Sequence, residues 1–99
     1  MSASSVNIQG NCVSLEGELI FRTAVSIRKQ VEQAIIGAQG TLKIDFGKVT
    51  KVDSAALSFW LCCQRMAASA DVLLEVSHVP EELKSIARLV GLDDSALLA

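Results

Sequence analysis

Hydrophobic and polar residues alternate over the first part of the chain. The alternation lies on both sides of Gly10-Asn11 and runs to about Leu19. Period-two alternation around a tight turn is typical of two half-buried antiparallel strands. The apolar positions of the two arms are Val6, Ile8, Val13 and Leu15. The chain is therefore predicted to begin with a β-hairpin.

The next segment has the period of an amphipathic helix. Its apolar residues recur every three or four positions, and charged and amide side chains occupy the other side. These apolar residues are Ala24, Ile27, Val31, Ala34 and Ile35. We expect Thr23 to be the N-cap of this helix and Gly37 to end it in the left-handed conformation.

A third strand and a second helix are predicted after this. Residues 41–46 alternate again, and the short segment 49–52 leads to the point where a helix should begin. From Ser54 to about Ser69, apolar residues lie on almost every side of this helix. More than one of its faces should therefore be buried, and its outer side is a candidate for contact with a partner.

The last part of the chain predicts a strand at 72–76 and a helix opened by Pro80 and ended by Gly91. The apolar face of this helix is expected to contain Leu83, Ile86, Ala87 and Val90. Asp93-Asp94-Ser95 are expected to cap a last short helix that carries Leu97 and Leu98. The order β-β-α-β-α-β-α-α predicts one α/β domain over residues 1–99. Its sheet should be mostly parallel, with an N-terminal antiparallel hairpin and helices packed on it.

Composition narrows the class of partner. The 99 residues include nine basic and eleven acidic side chains, for a formal net charge of -2, and 51% of them are hydrophobic. A chain without a basic excess is not expected to bind nucleic acid. Its three cysteines include no CxxC pair, a pattern that favours reduced, packed thiols over disulfides or a zinc site.

We expect neither a secretory signal nor a membrane span. The first residues lack a basic segment followed by an apolar one, and the longest apolar stretch is 55–63. That stretch is well short of the roughly 20 residues that cross a bilayer. The expected location is the cytoplasm, with membrane contact only through a partner.

Catalytic chemistry is not expected either. The glycines are isolated and form no phosphate-binding loop. His78 has no nucleophile or metal-ligand pattern around it, so it is expected to be a surface or turn histidine. Cys62 and Cys63 lie in mid-helix, away from the N-terminal end that lowers a thiol pKa, and are assigned to packing. We therefore predict no enzymatic activity, no cofactor and no metal.

One group of residues indicates a particular kind of site. In the segment 51–57 a strand end turns directly into a helix, with Asp53 and Ser54 at the turn. Free backbone N–H groups and the positive end of the helix dipole meet there, which favours an anion or a hydrogen-bond acceptor. The same residues also suit a helix cap. In either role Ser54 is expected to be exposed at the start of the helix.

Four segments of this chain resemble the STAS domain family, and they cover nearly the whole chain in the family's order. They are Gly17-Glu18-Leu19 with Arg22-Thr23-Ala24, Ile44-Asp45-Phe46, Val52-Asp53-Ser54-Ala55-Ala56-Leu57, and Leu89-Val90-Gly91-Leu92. The third is similar to the family's strand-to-helix signature, Asp-Ser/Thr-Ser/Gly-Gly-Leu. In the first, Ile20-Phe21 replaces the family's usual aspartate.

Two branches of the family differ at this signature. Anti-sigma factor antagonists have Asp-Ser-Ser-Gly and are phosphorylated on the second serine, which is Ala55 here. The MlaB-type subunits of the Mla phospholipid ABC transporter have Asp-Thr-Gly-Gly-Leu, and Ser54 matches their threonine. The resemblance therefore implies a non-catalytic subunit that binds an MlaF-like ATPase, within a complex that includes a permease and a lipid-binding subunit and maintains outer-membrane lipid asymmetry. The alternative is an anti-sigma factor antagonist or another signalling switch regulated by phosphorylation, with Ser54 as the possible acceptor.

The residues expected to bind the partner or regulate binding surround this signature. They are Asp53, Ser54, Ala55, Leu57, Ser58, Phe59 and Trp60. Phe59 and Trp60 exceed what one core-facing stripe needs, and aromatic anchors are enriched in interfaces. Trp60 suits a core position equally well, because it is the single tryptophan of a small protein. A small-molecule site at the strand ends is a third hypothesis, for which the sequence provides no reactive group.

Overall fold

The computed structural model describes residues 4–91, which form a four-stranded sheet and three helices. In chain order the elements are β1 (Ser5–Gln9), β2 (Cys12–Leu19), α1 (Phe21–Gly37), β3 (Thr41–Val52), α2 (Ser54–Ala70), β4 (Leu73–Ser77) and α3 (Glu81–Leu89). The helix predicted after Gly91 lies outside the described residues. The predicted class, an α/β domain with an N-terminal hairpin, is confirmed.

The sheet has the strand order β1-β2-β3-β4. β1 is antiparallel to β2, and β2, β3 and β4 are parallel to one another. Gly10, with a φ of 57°, forms the expected hairpin turn. Because β2 and β3 are parallel neighbours, they end at the same edge of the sheet, where Leu19 pairs with Val52. α1 and α2 therefore begin side by side at this edge.

One face of the sheet packs against the helices. Strand residues alternate between buried and more exposed, and the buried ones join the apolar faces of the helices in one core. Trp60 is completely buried, and its ring meets that of Phe46 edge to face, with 6.1 Å between ring centroids. The other face of the sheet carries exposed Lys43 and Glu75 and half-buried Asp45.

The start of α1 differs from the prediction. Thr23 is not the N-cap, because the helix begins at Phe21 and Ile20 occupies the cap position. The Thr23 Oγ1 accepts a hydrogen bond from the Ile20 N–H at 3.0 Å and donates one to the Glu18 carbonyl at 2.7 Å. The threonine thus stabilises the first turn from inside the helix, and α1 gains the turn that contains Phe21.

Three other details differ. Gly37 ends α1, but the residue after it is extended, and the left-handed glycine of this loop is Gly40, with a φ of 83°. The predicted segments 41–46 and 49–52 are one continuous strand of 12 residues. Val90 is 60% exposed, because α3 ends one residue before it and leaves it outside the buried face.

Candidate functional site: a groove between two helix N-termini

Asp53 joins the N-termini of α1 and α2. It is the N-cap of α2, where its Oδ1 accepts a hydrogen bond from the Ala55 N–H at 2.8 Å. Its Oδ2 accepts a second bond, from the Phe21 N–H at 3.1 Å. One carboxylate therefore caps α2 and holds the first residue of α1, although the two segments are 32 residues apart.

The electrostatic character of this edge follows from that arrangement. Each helix N-terminus carries a partial positive charge on its unpaired N–H groups. Neither α1 nor α2 has an acidic residue in its first turn. The carboxylate of Asp53 lies between the two ends, and the exposed Arg22 adds a full positive charge beside them.

A groove of about 580 Å³ opens from this point along the two helices. Five residues of α2 form its α2 wall, of which four have small side chains, namely Ser54, Ala55, Ser58 and Cys62, and the fifth is the buried Phe59. Ser54 and Ser58 are exposed. This wall therefore presents hydroxyl groups and little bulk to an approaching molecule.

The α1 wall is larger and more apolar. It includes Phe21, which is 80% exposed, and Val25, which is 55% exposed. Arg22 and Arg28 also line it. Arg28 Nη1 lies 3.8 Å from Cys62 Sγ, and its Nε lies 4.0 Å from Glu32 Oε2.

The expected site residues divide into two sets. Asp53, Ser54, Ala55 and Ser58 all line the groove, as does an edge of Phe59. Leu57, Phe59 and Trp60 are only 6%, 2% and 0% exposed. The expectation that Leu57 and Phe59 present their side chains to a partner is corrected, and of the two positions left open for Trp60 the structure shows the core. All three fill the core of this domain, where α2 is covered by the sheet, α1 and α3.

The α1 wall is not among the residues predicted from the sequence. With Thr23 as the expected N-cap, Phe21 lies before the predicted helix. Extension of the period of Ala24, Ile27 and Val31 by one turn places Ile20 on the buried side and Phe21 beside it, toward solvent. That extension is the signal that would have found an exposed aromatic residue.

The adjacent thiols have different environments. Cys63 is fully buried, and this burial raises the pKa of its thiol to about 12. Packing, the role expected for both cysteines, is confirmed for Cys63. Cys62 is half-buried and lines the groove.

His78 lies in the turn after β4, with a φ of 56°, and is exposed, as expected for a turn histidine. Its Nδ1 lies 2.9 Å from Asp45 Oδ1, which also accepts a bond from the Gly47 N–H at 2.8 Å. The Gly47 bond above all, and then His78, lower the pKa of Asp45.

Between residues 4 and 91, no group of three His, Cys, Asp or Glu side chains is placed to hold a metal ion. No helix in the same range has the length and apolar character to cross a membrane.

Comparisons with known proteins identify a family and similar folds. A family model described as "Mlab, STAS domain" matches residues 4–99. The fold is similar to that of the anti-sigma factor antagonist SpoIIAA in its unphosphorylated form, with a TM-score of 0.69, 20% identity, and coverage of 91% of this chain and 82% of that one. It is also similar to the phosphorylated form of SpoIIAA, a Bacillus cell fate determinant, with a TM-score of 0.67, 20% identity, and coverage of 91% and 85%. Among curated proteins, none matches this chain.

Proposed function

The chain belongs to the STAS domain family, and from this premise we propose that it is a non-catalytic subunit of a phospholipid ABC transporter. In this proposal it binds the MlaF-like ATPase on the cytoplasmic face of the inner membrane. It supports assembly and activity of a complex that also contains a permease and a lipid-binding subunit. That complex maintains the lipid asymmetry of the outer membrane.

The observation that carries this proposal is the exposed Ser54 at the start of α2, in a wall of small side chains. A partner can approach closely there, because Ala55 and Ser58 leave the helix backbone near the surface. The Ser54 hydroxyl can donate and accept a hydrogen bond in such a contact. The family match, described as an MlaB-type STAS domain, supports an ATPase as the partner.

Substitution of Ser54 by Glu tests this proposal. A carboxylate beside Asp53 would repel that charge and would lose its water in a close contact. We expect the affinity for the purified transporter ATPase to fall by at least about tenfold, which corresponds to about 1.4 kcal/mol, as measured by titration calorimetry. Ser85→Glu, at an exposed position of α3, is the matched control. The proposal is wrong if the unaltered chain does not bind the ATPase.

The exposure of Ser54 also favours a second candidate function, a signalling switch phosphorylated at this residue. An exposed hydroxyl at a helix N-terminus is accessible to a kinase, and the added phosphate would be favoured by the helix dipole. Mass spectrometry of the protein from growing cells tests this function. Ser54 found unmodified under all growth conditions would contradict it.

A further inference from the structure

We propose that the partner is recognised mainly through the α1 wall of the groove, with Phe21 as the anchor and Arg22 and Arg28 beside it. The segment of the partner protein that fits this wall is acidic and apolar. This inference rests on the proposed function and specifies the chemistry of its interface.

Phe21 has the properties of an interface anchor. It is 80% exposed, whereas Phe46 and Phe59 are buried. Val25, one turn further along α1, extends the apolar surface next to it. Aromatic residues, phenylalanine among them, are enriched at protein–protein interfaces. Asp53 holds the backbone of Phe21 through the bond to its N–H, so the start of α1 that carries the anchor is ordered before binding.

The charges around the groove indicate which charge the partner segment should carry. The helices α1 and α2 contain four basic residues and one acidic residue, while the whole chain has a net charge of -2. The basic residues are Arg22, Arg28, Lys29 and Arg65, and the acidic one is Glu32. Of the charged residues that line the groove itself, Arg22 and Arg28 are basic and Asp53 is acidic. The Asp53 carboxylate already binds the two helix N-termini, so the two arginines are the charges left for a partner. Complementary charge therefore favours carboxylates on the partner.

The shape of the site favours a protein segment over a lipid surface. The apolar side chains lie in a groove whose opposite wall has the hydroxyl groups of Ser54 and Ser58. A ridge of side chains, such as one face of a helix, can enter this groove and meet both walls. A flat membrane surface would contact Phe21 but would not reach Ala55, which is only half-exposed between the helices.

Binding measurements with the purified ATPase test the inference. We expect Phe21→Ala and Arg22→Glu each to weaken binding by at least about tenfold, and added salt to weaken binding of the unaltered chain. Ile36→Ala is the matched control for Phe21, because Ile36 is 59% exposed on α1 and lies outside the groove. Lys43→Glu, on the other face of the sheet, is the control for Arg22. Both controls should bind like the unaltered chain, and circular dichroism should show that all four variants are folded.

The possible outcomes separate this inference from the proposed function. If Ser54→Glu weakens binding while Phe21→Ala and Arg22→Glu do not, the inference is wrong and the proposed function stands. If the unaltered chain does not bind the ATPase, both are wrong. A photo-crosslinker at position 21 should attach to a partner peptide that contains Asp or Glu among apolar residues. A basic peptide, or Phe21-dependent binding to phosphatidylglycerol vesicles, would overturn the inference.

Discussion

Cys62 and Cys63 are neighbours in the sequence but differ in their chemistry, because consecutive side chains of a helix point in different directions. The side chain of Cys63 points into the core, and that of Cys62 lies in the groove near Arg28. Burial disfavours the charged form of a thiol, so the pKa of Cys63 rises to about 12. The reactive species of a cysteine is the thiolate, and Cys63 therefore has almost none at neutral pH.

We predict that native Cys63 resists alkylation by iodoacetamide at pH 8, while Cys12 and Cys62, which are half-buried, react. All three should react in concentrated urea, where burial is lost. Peptide mass spectrometry of samples taken over time measures the three rates separately. Equal native rates for Cys62 and Cys63 would show that the thiol of Cys63 is accessible.

Asp45 provides a pH-dependent contribution to stability. The bond from the Gly47 N–H, followed by the contact with His78, lowers its pKa below the ordinary value of 3.8. As the pH falls below about 4, the unfolded chain takes up a proton at this residue before the folded chain does. The free energy of unfolding should therefore fall over this range, down to the pKa of the folded state.

Asp45→Asn should remove the part of the pH dependence of stability that comes from Asp45. The amide keeps an oxygen that can accept from the Gly47 N–H but has no charge to titrate. We expect the variant to lose less stability than the unaltered chain between pH 5 and pH 3, as measured by urea unfolding at several pH values. If the two curves for Asp45→Asn and the unaltered chain are parallel, Asp45 makes no such contribution.

At the scale of elements, α1 and α2 depend on one shared side chain. Asp53 caps α2 through Ala55 and holds α1 through Phe21. The sequence allowed the first role to be predicted, because a capping residue and its helix are adjacent in the chain. The second role could not be predicted, since it depends on the pairing of β2 with β3, which places two distant helix starts together.

Two substitutions of Asp53 should separate these roles. Asp53→Ala removes both hydrogen bonds and should cost about 2 kcal/mol of unfolding free energy, about 1 for the cap and about 1 for the second bond. Asp53→Ser retains a capping oxygen for α2 but is too short to reach Phe21, so it should cost about half as much. Urea unfolding measures both. Equal losses for the two variants would mean that the bond to Phe21 contributes nothing.

Over the whole molecule, too, features that depend on adjacent residues could be predicted from the sequence, and features that depend on distant residues could not. Alternation and helical period were sufficient to predict the strands, the helices and the parallel order, because each pattern depends on a residue's near neighbours in the chain. The candidate groove was predicted on its α2 side only. Its α1 wall depends on the exact first residue of α1, and Ile20 has no capping side chain that would mark it. Hydrophobicity alone also favoured a partner surface for Phe59 and left Trp60 open between core and interface, because it does not show which neighbouring element covers a residue.

Trp60 connects the helices with the sheet, and its loss should therefore destabilise the whole domain. Its ring is completely buried against Phe46 of β3. Truncation of a buried Trp to Ala costs about 3–5 kcal/mol, a large part of the roughly 5–15 kcal/mol by which a domain is stable. We expect Trp60→Ala to unfold at much lower urea, or to be unfolded without urea, and Trp60→Phe to be intermediate because it keeps an aromatic contact.

Fluorescence and circular dichroism provide the measurement. In the unaltered chain, the emission of this single tryptophan should be that of a buried indole and should shift to longer wavelength at the urea concentration at which helicity is lost. Leu61→Ala on the same helix, at a residue that is 38% exposed, is the matched control and should unfold close to the unaltered chain. A Trp60→Ala variant with an unchanged midpoint would place the indole outside the core. A coincident transition with a large loss of stability instead shows that the indole stabilises the core, as its complete burial indicates.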